Sequence, residues 1–238
     1  MNKVEKHPSG LDIIFYPENH IYYMDGTRLE SVTTVISKFF PKFDVEGISK
    51  KYAKKHNLDP EQVKLDWKQA GAEASELGNN CHAFAEALIK EEKPPLCLND
   101  KEQEYFREIK LYLKKLYQYG IEPYKAEYII GSLKYKIAGT IDLLLRKDNT
   151  IYILDWKTNK KITRSNMFQS ALKPIEYLDD CLFNKYSLQL NLYKYLLKSE
   201  KYFGGLDYYM AILYVTPFGV EEIKVPDMTK EIKKMLKY

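Results

Sequence analysis

Apolar residues change their spacing partway along the chain, and that change organises it. Residues 11–24 (LDIIFYPENHIYYM) read as two short strands around Pro17-Glu18-Asn19, and Asp25-Gly26 makes a further turn before SVTTVISKFF. This predicts an N-terminal hairpin leading into a helix. From about Gly47 to Glu92 the composition is helical, with Asp59 as N-cap, Pro60 at the first helical position and Glu61-Gln62 filling the first turn. A second long helix begins at Asn99 or Asp100, where Tyr105, Ile109, Leu113, Leu116 and Tyr117 recur at three- and four-residue steps until Gly120 ends the run. Beyond Gly120 the periodicity is that of strands. Residues 123–130, 133–146, 151–157, 206–215 and 220–225 fit this pattern, interrupted by one apolar helix from about Tyr186 to Leu197. Helices followed by a sheet with a helix packed on it predict a mixed α/β (α+β) domain. No repeat, low-complexity tract or linker divides the 238 residues. They predict one unit in three parts: a hairpin and lead-in over 1–45, a helical region over 46–120 and a sheet core over 121–238.

Within the sheet segment, residues 139–158 (GTIDLLLRKDNTIYILDWKT) are two apolar runs joined by Lys147-Asp148-Asn149-Thr150, which suit a tight hairpin turn. With Lys147 facing Thr150, counting back along both strands sets Asp142 opposite Asp155. Cross-strand neighbours have Cβ atoms about 4.5–5.5 Å apart, so two carboxylates lie side by side in otherwise apolar strands. Lys157, two residues past Asp155, points to the same face. Like charges buried at that spacing are costly unless a positive charge lies between them. A divalent cation meets the need. Carboxylate oxygens are ligands for Mg²⁺ or Mn²⁺, and such a metal binds phosphate, polarises it and lowers the pKa of an attacking water. Lys157 is placed to position that water or to stabilise charge growing on the phosphate oxygens. The plainer alternative is an ion pair of Lys157 with Asp155 or Asp142 that only holds the hairpin.

Gly139-x-x-Asp142, followed after an interval by Asp155-Trp156-Lys157-Thr158, resembles the core of the PD-(D/E)XK nuclease superfamily, with Asp in the (D/E) position. Gln189-x-x-x-Tyr193 on the predicted apolar helix resembles the QxxxY motif of RecB-type nucleases. Gly78-x-x-x-His82-x-x-x-Glu86 resembles the GxxxH element of the same branch, whose His is a metal ligand. The resemblance spans residues 78–193 and extends to RecB and AddA nuclease domains, to mitochondrial genome maintenance exonucleases and to phage and viral members of the superfamily. It implies a restriction-endonuclease-like core: a mixed central β-sheet flanked by helices, with an N-terminal helical region supplying His82. It further implies that His82, Asp142, Asp155 and the main-chain carbonyl of Trp156 hold Mg²⁺ or Mn²⁺. Asp142, Asp155 and Lys157 would be catalytic, and Gln189 and Tyr193 would contact DNA. Glu86 and Glu127 are candidate additional acidic residues. The implied activity is metal-dependent hydrolysis of DNA phosphodiester bonds, favouring an exonuclease of recombination, repair or replication. Its partners would be single-stranded DNA or duplex ends, together with recombination or replication proteins.

Residue geometry agrees with that implication at two places. Gly78, His82 and Glu86 lie at i, i+4 and i+8, hence on one helical face, and Gly78 allows a close approach to the sheet. Gln189 and Tyr193 share a face in the same way. An imidazole beside carboxylates favours Mn²⁺ relative to an all-oxygen site without excluding Mg²⁺. His7, His20 and His56 have no such company and read as structural.

Charge and composition add less. The 37 Lys and Arg against 33 Asp and Glu leave +4, which permits a nucleic-acid partner without requiring one. Lys50-Lys51 with Lys54-Lys55, and Lys110 with Lys114-Lys115, give helices basic faces able to track a phosphate backbone, although such faces are usually only solvated. Cys81, Cys97 and Cys181 are too few and too scattered for a disulfide framework or a CxxC metal site. No apolar run approaches membrane-spanning length, and MNKVEKHPSG lacks an apolar signal core, so the sequence predicts a soluble, cytoplasmic protein without a membrane partner. Two rival readings stand beside the exonuclease. One is a non-catalytic DNA-binding or scaffold protein on the same fold, against which the intact Asp142, Asp155 and Lys157 set argues. The other is an endonuclease or an RNA-directed nuclease subunit of a larger complex. No G-x-x-x-x-G-K-[ST] loop supplies an ATP motor within this chain.

Overall fold

A computed structural model describes residues 2–238. Its N-terminus is an antiparallel meander of four short strands, β1 (Lys3–Lys6), β2 (Asp12–Tyr16), β3 (Ile21–Met24) and β4 (Thr27–Ser31). The expected hairpin is β2–β3. β1 (KVEK) and β4 (TRLES) escape sequence detection because each carries a single large apolar residue. Ser31 ends β4 and caps α1 (Val32–Ser37) by accepting from the Thr34 N–H at 3.1 Å, so the helix lies within the SVTTVISKFF stretch where it was expected.

The helical stretch divides into α2 (Val45–His56) and α3 (Pro60–Ile89) because Asn57 adopts a left-handed conformation, φ +53, and Asp59 caps the next helix from its side chain. Asn99 caps α4 (Asp100–Gln118) through the Glu102 N–H. The sheet segment then runs β5 (Glu122–Ser132), β6 (Ile137–Lys147), β7 (Thr150–Lys157), α5 (Leu182–Ser199), β8 (Asp207–Thr216), β9 (Gly219–Lys224) and α6 (Thr229–Met235). Residues 133–136, expected to open a strand, form the turn between β5 and β6.

The nine strands make one mixed sheet, in which β4–β6 and β7–β8 are parallel and the other pairs antiparallel. Helices cover both faces, as expected of a restriction-endonuclease-like fold. α1, α5 and α6 bury one face against residues such as Ile141, Leu144, Ile151 and Ile153, while α3 and α4 bury the other against Leu143, Leu154 and Trp156. The alternation along β7 thus sends Ile153 and Trp156 into different layers. No helix among the described residues is long and apolar enough to cross a membrane.

Candidate active site

β6 is paired along one whole edge by β5, but its other edge is shared. β4 pairs there with Ile137 and Ala138, and β7 pairs from Leu143 onward. Gly139–Asp142 lie between, on an edge that neither strand covers. This gap is the floor of a cleft of about 900 Å³. Side chains fill what strands leave open. Tyr193 of α5 packs so closely on Gly139 that a Cβ there would stand 2.7 Å from its Cε1. Tyr22 of β3 is hydrogen-bonded to Thr140 at 2.9 Å between hydroxyl oxygens, and the Trp156 N–H donates to Asp142 Oδ2 at 2.9 Å.

Register sets three carboxylates in a row across adjacent strands. The observed pairs Leu143 with Leu154 through Lys147 with Thr150 match the count made from the turn, and one more step brings Asp142 to the level of Asp155. On the other side, the pairs Ala126 with Leu143 and Tyr128 with Ile141 flank Glu127 and Asp142. Glu127 takes φ +50, a left-handed conformation that costs a non-glycine residue roughly 1–3 kcal/mol, while β5 continues through it.

α3 brings His82 over the row from the opposite layer. Its Nε2–H donates to the Trp156 carbonyl at 3.0 Å, and its Nδ1 lies 3.3 Å from Asp142 Oδ2. With Nε2 committed to the carbonyl, Nδ1 is directed at the carboxylate row. His82, Glu127 and Asp142 each place one ligand atom within 4.8 Å of the other two. Two carboxylates and an imidazole at that spacing, with a main-chain carbonyl beside them, fit a divalent cation. Gly78 sits where α3 passes the end of β7, its absent Cβ leaving 3.3 Å to Thr158 Oγ1.

Asp155 belongs to a different subcluster. It is 1% exposed; Oδ1 accepts from Gln189 Nε2 at 2.9 Å, while Oδ2 has no hydrogen-bond partner among the described residues and only the Lys157 ammonium beside it as an ion pair. Burial, with Asp142 nearby, pushes the Asp155 carboxyl up to about 6 despite Lys157. Burial presses Lys157 toward neutrality, but the Asp155 and Asp142 charges outweigh it and hold its ammonium above the usual lysine range. The Tyr186 ring lies 4.8 Å under Lys157 Nζ, and its hydroxyl donates to Asn159 at 2.8 Å.

Gln189 and Tyr193, expected at the DNA, line the same cleft but are themselves buried, with the Gln189 amide directed at Asp155 and at the Tyr193 hydroxyl. Glu127 joins the His82 and Asp142 cluster, whereas Glu86 stands aside, held below the usual carboxylate range against its burial by Lys90 and Lys3. Tyr186 and Lys3 are among the cleft residues that were not anticipated. Tyr186 shares the α5 face of Gln189 and Tyr193, a signal present in the spacing. Lys3, 3.2 Å from Glu86 and 4.0 Å from Glu127, arrives from β1 with no local signal at all.

Glu127 is pushed up to about 7 by burial and by Asp142. Glu127 and Asp155 thus titrate in the fold above their unfolded values near 4. Between about pH 4 and 7 the fold holds protons that the unfolded chain has lost, so stability falls as pH rises through that window. A cation in the cluster competes with those protons. Mn²⁺ should therefore raise Tm more at about pH 8 than at about pH 5.5, as thermal melts with and without the ion would show. Equal increments at both pH values would mean that the ion binds elsewhere.

The family model of the PD-(D/E)XK nuclease superfamily matches residues 98–234, a span that holds Asp142, Asp155, Lys157, Gln189 and Tyr193 but not His82. No curated protein matches the chain.

Proposed function

Since the chain belongs to the PD-(D/E)XK nuclease superfamily, we propose that it is a divalent-metal-dependent deoxyribonuclease that degrades DNA from its ends. One observation carries this: an acid–imidazole cluster and a lysine–carboxylate pair open into the same cleft. His82, Glu127 and Asp142, with the Trp156 carbonyl at hand, would hold Mg²⁺ or Mn²⁺, which would supply Lewis-acid polarisation of the phosphate and a lowered pKa for water. Lys157 enters the reaction as a cation, because its carboxylate neighbours keep it protonated. It donates to a phosphate oxygen and offsets the charge that grows there, and has no free pair with which to take a proton. Asp155 holds that ammonium in place, and Gln189 fixes Asp155 from beneath. Tyr193 closes the gap in β6 and keeps solvent from the back of the carboxylate row.

The preference for DNA ends rests on the resemblance of Gly78-x-x-x-His82 and Gln189-x-x-x-Tyr193 to the RecB-type branch, and these residues converge on the cleft. Linear single- and double-stranded DNA, end-labelled and supplied with Mn²⁺ or Mg²⁺, should be shortened from the ends while a covalently closed circle survives. Uncut linear DNA under all these conditions would refute the deoxyribonuclease, and a cut circle would make the enzyme an endonuclease.

A further inference from the structure

α2 and α5 each carry a net +3, but two of the three lysines of α5, Lys185 and Lys194, are ion-paired by Asp180 and Asp227. α2 carries Lys50, Lys51, Lys54 and Lys55 against one acid, Glu46, so this short helix bears +3 beside a net +4 for all 238 residues. Lys50 with Lys54, and Lys51 with Lys55, are like charges one turn apart, which repel. All four lysines are exposed, and among the described residues none is ion-paired; Glu46 is engaged instead by Lys64 of α3 at 2.7 Å. The lysines of α4 differ. Lys110, Lys114 and Lys115 share their helix with Asp100, Glu102, Glu104 and Glu108, which nearly balance its basic residues.

The position of α2 gives its charge a meaning. It packs on the N-terminal part of α3, with Ser49, Ala53 and Val63 buried and Tyr52 meeting Trp67 at 5.8 Å between ring centroids. The cleft is lined by the same helix from Ala74 to Glu86. Trp67 precedes His82 by ~22 Å of helix axis, at about 1.5 Å per residue. A strand leaving the cleft along α3 reaches the α2 lysines after about six or seven nucleotides, at roughly 3.4 Å each.

We propose that α2 is an auxiliary phosphate-backbone site, in which Lys50, Lys51, Lys54 and Lys55 hold the polynucleotide away from the point of cleavage; this rests on the nuclease reading above. Nucleic acid is the occupant that matches four uncompensated cations on a helix packed against the one that lines the cleft. The test is a variant combining Lys50→Gln, Lys51→Gln, Lys54→Gln and Lys55→Gln, with helix content checked by circular dichroism. Its binding to labelled DNA of about 30 nucleotides, followed by anisotropy in Ca²⁺ across a salt series, should show a log–log salt slope reduced by about 2 to 3 and affinity lowered at least about tenfold. In Mn²⁺, kcat/KM should fall for that DNA but not for an oligomer of about 5 nucleotides, which ends short of α2. The combination Lys110→Gln, Lys114→Gln and Lys115→Gln should leave the slope nearly unchanged. An unaltered slope in the α2 variant, or an equal loss in the α4 variant, overturns the proposal. If the wild-type chain binds DNA with an α2-dependent slope yet cleaves none in Mn²⁺, the nuclease reading fails and the α2 site stands.

Discussion

Asp155→Asn protein should cleave DNA at least about 10³-fold more slowly than the wild-type chain while keeping its circular dichroism spectrum. Asparagine has the volume of aspartate, so the site keeps its packing and no cavity opens. What disappears is charge. Lys157 loses the ion pair that holds it in the cleft, and burial then drives its ammonium toward the neutral amine. The single substitution therefore removes an acid and weakens a cation, a larger effect than deleting one hydrogen-bond donor. Lys157→Gln should lose a comparable factor, and the double variant should lose little beyond either single one, because the two side chains act as a unit. Activity within tenfold of wild type for Asp155→Asn would remove Asp155 from the reaction.

Gly139→Ala should destabilise the protein by about 1–3 kcal/mol and lower activity with it. The new methyl would stand 2.7 Å from Tyr193 Cε1, and 3.2 and 3.3 Å from Val32. Neither neighbour has room to yield, since Tyr193 and Val32 are both buried in the layer formed by α1 and α5. Displacing Tyr193 disturbs Gln189, which shares its hydroxyl, and through Gln189 the Asp155 carboxylate. A Tm several degrees lower is expected, at roughly 2–4 °C per kcal/mol for a chain of this size. An unchanged Tm would show that Tyr193 is less fixed than its burial indicates. The glycine of the G-x-x-D motif is thus explained by the tyrosine of the Q-x-x-x-Y motif: one is small because the other lies on it.

Local information made the β6–β7 hairpin legible. The turn at Lys147–Thr150 is encoded by four adjacent residues, and once it is fixed the register of β6 and β7 follows without tertiary knowledge. Glu127 needed the structure: the turn that sets it opposite Asp142 is 133–136, which the sequence reads as the opening of a strand. β4 was not legible either. Its parallel pairing with β6 joins Glu30 to Ile137, and no local pattern announces a partner that distant. α6 was missed because Ile232 and Met235 are its only buried residues among several lysines. The direction of Gln189 lay beyond sequence for another reason. An amide on an apolar helix suits DNA or a buried acid equally well, and only the packing of α5 on β7 turns it toward Asp155.

The open edge of β6 also has a consequence in time. Its walls come from early in the chain, through Tyr22 and β4, and from late in it, through Tyr193. During synthesis the carboxylate row emerges before the helix that shields it, and residue 193 must leave the ribosome before the cleft can close around Asp155. Contacts of such long sequence separation form slowly. A cleft assembled from segments as far apart as Tyr22 and Tyr193 is thereby withheld until residue 193 has been made, so a nascent chain that stops short of it carries the acids without their cover.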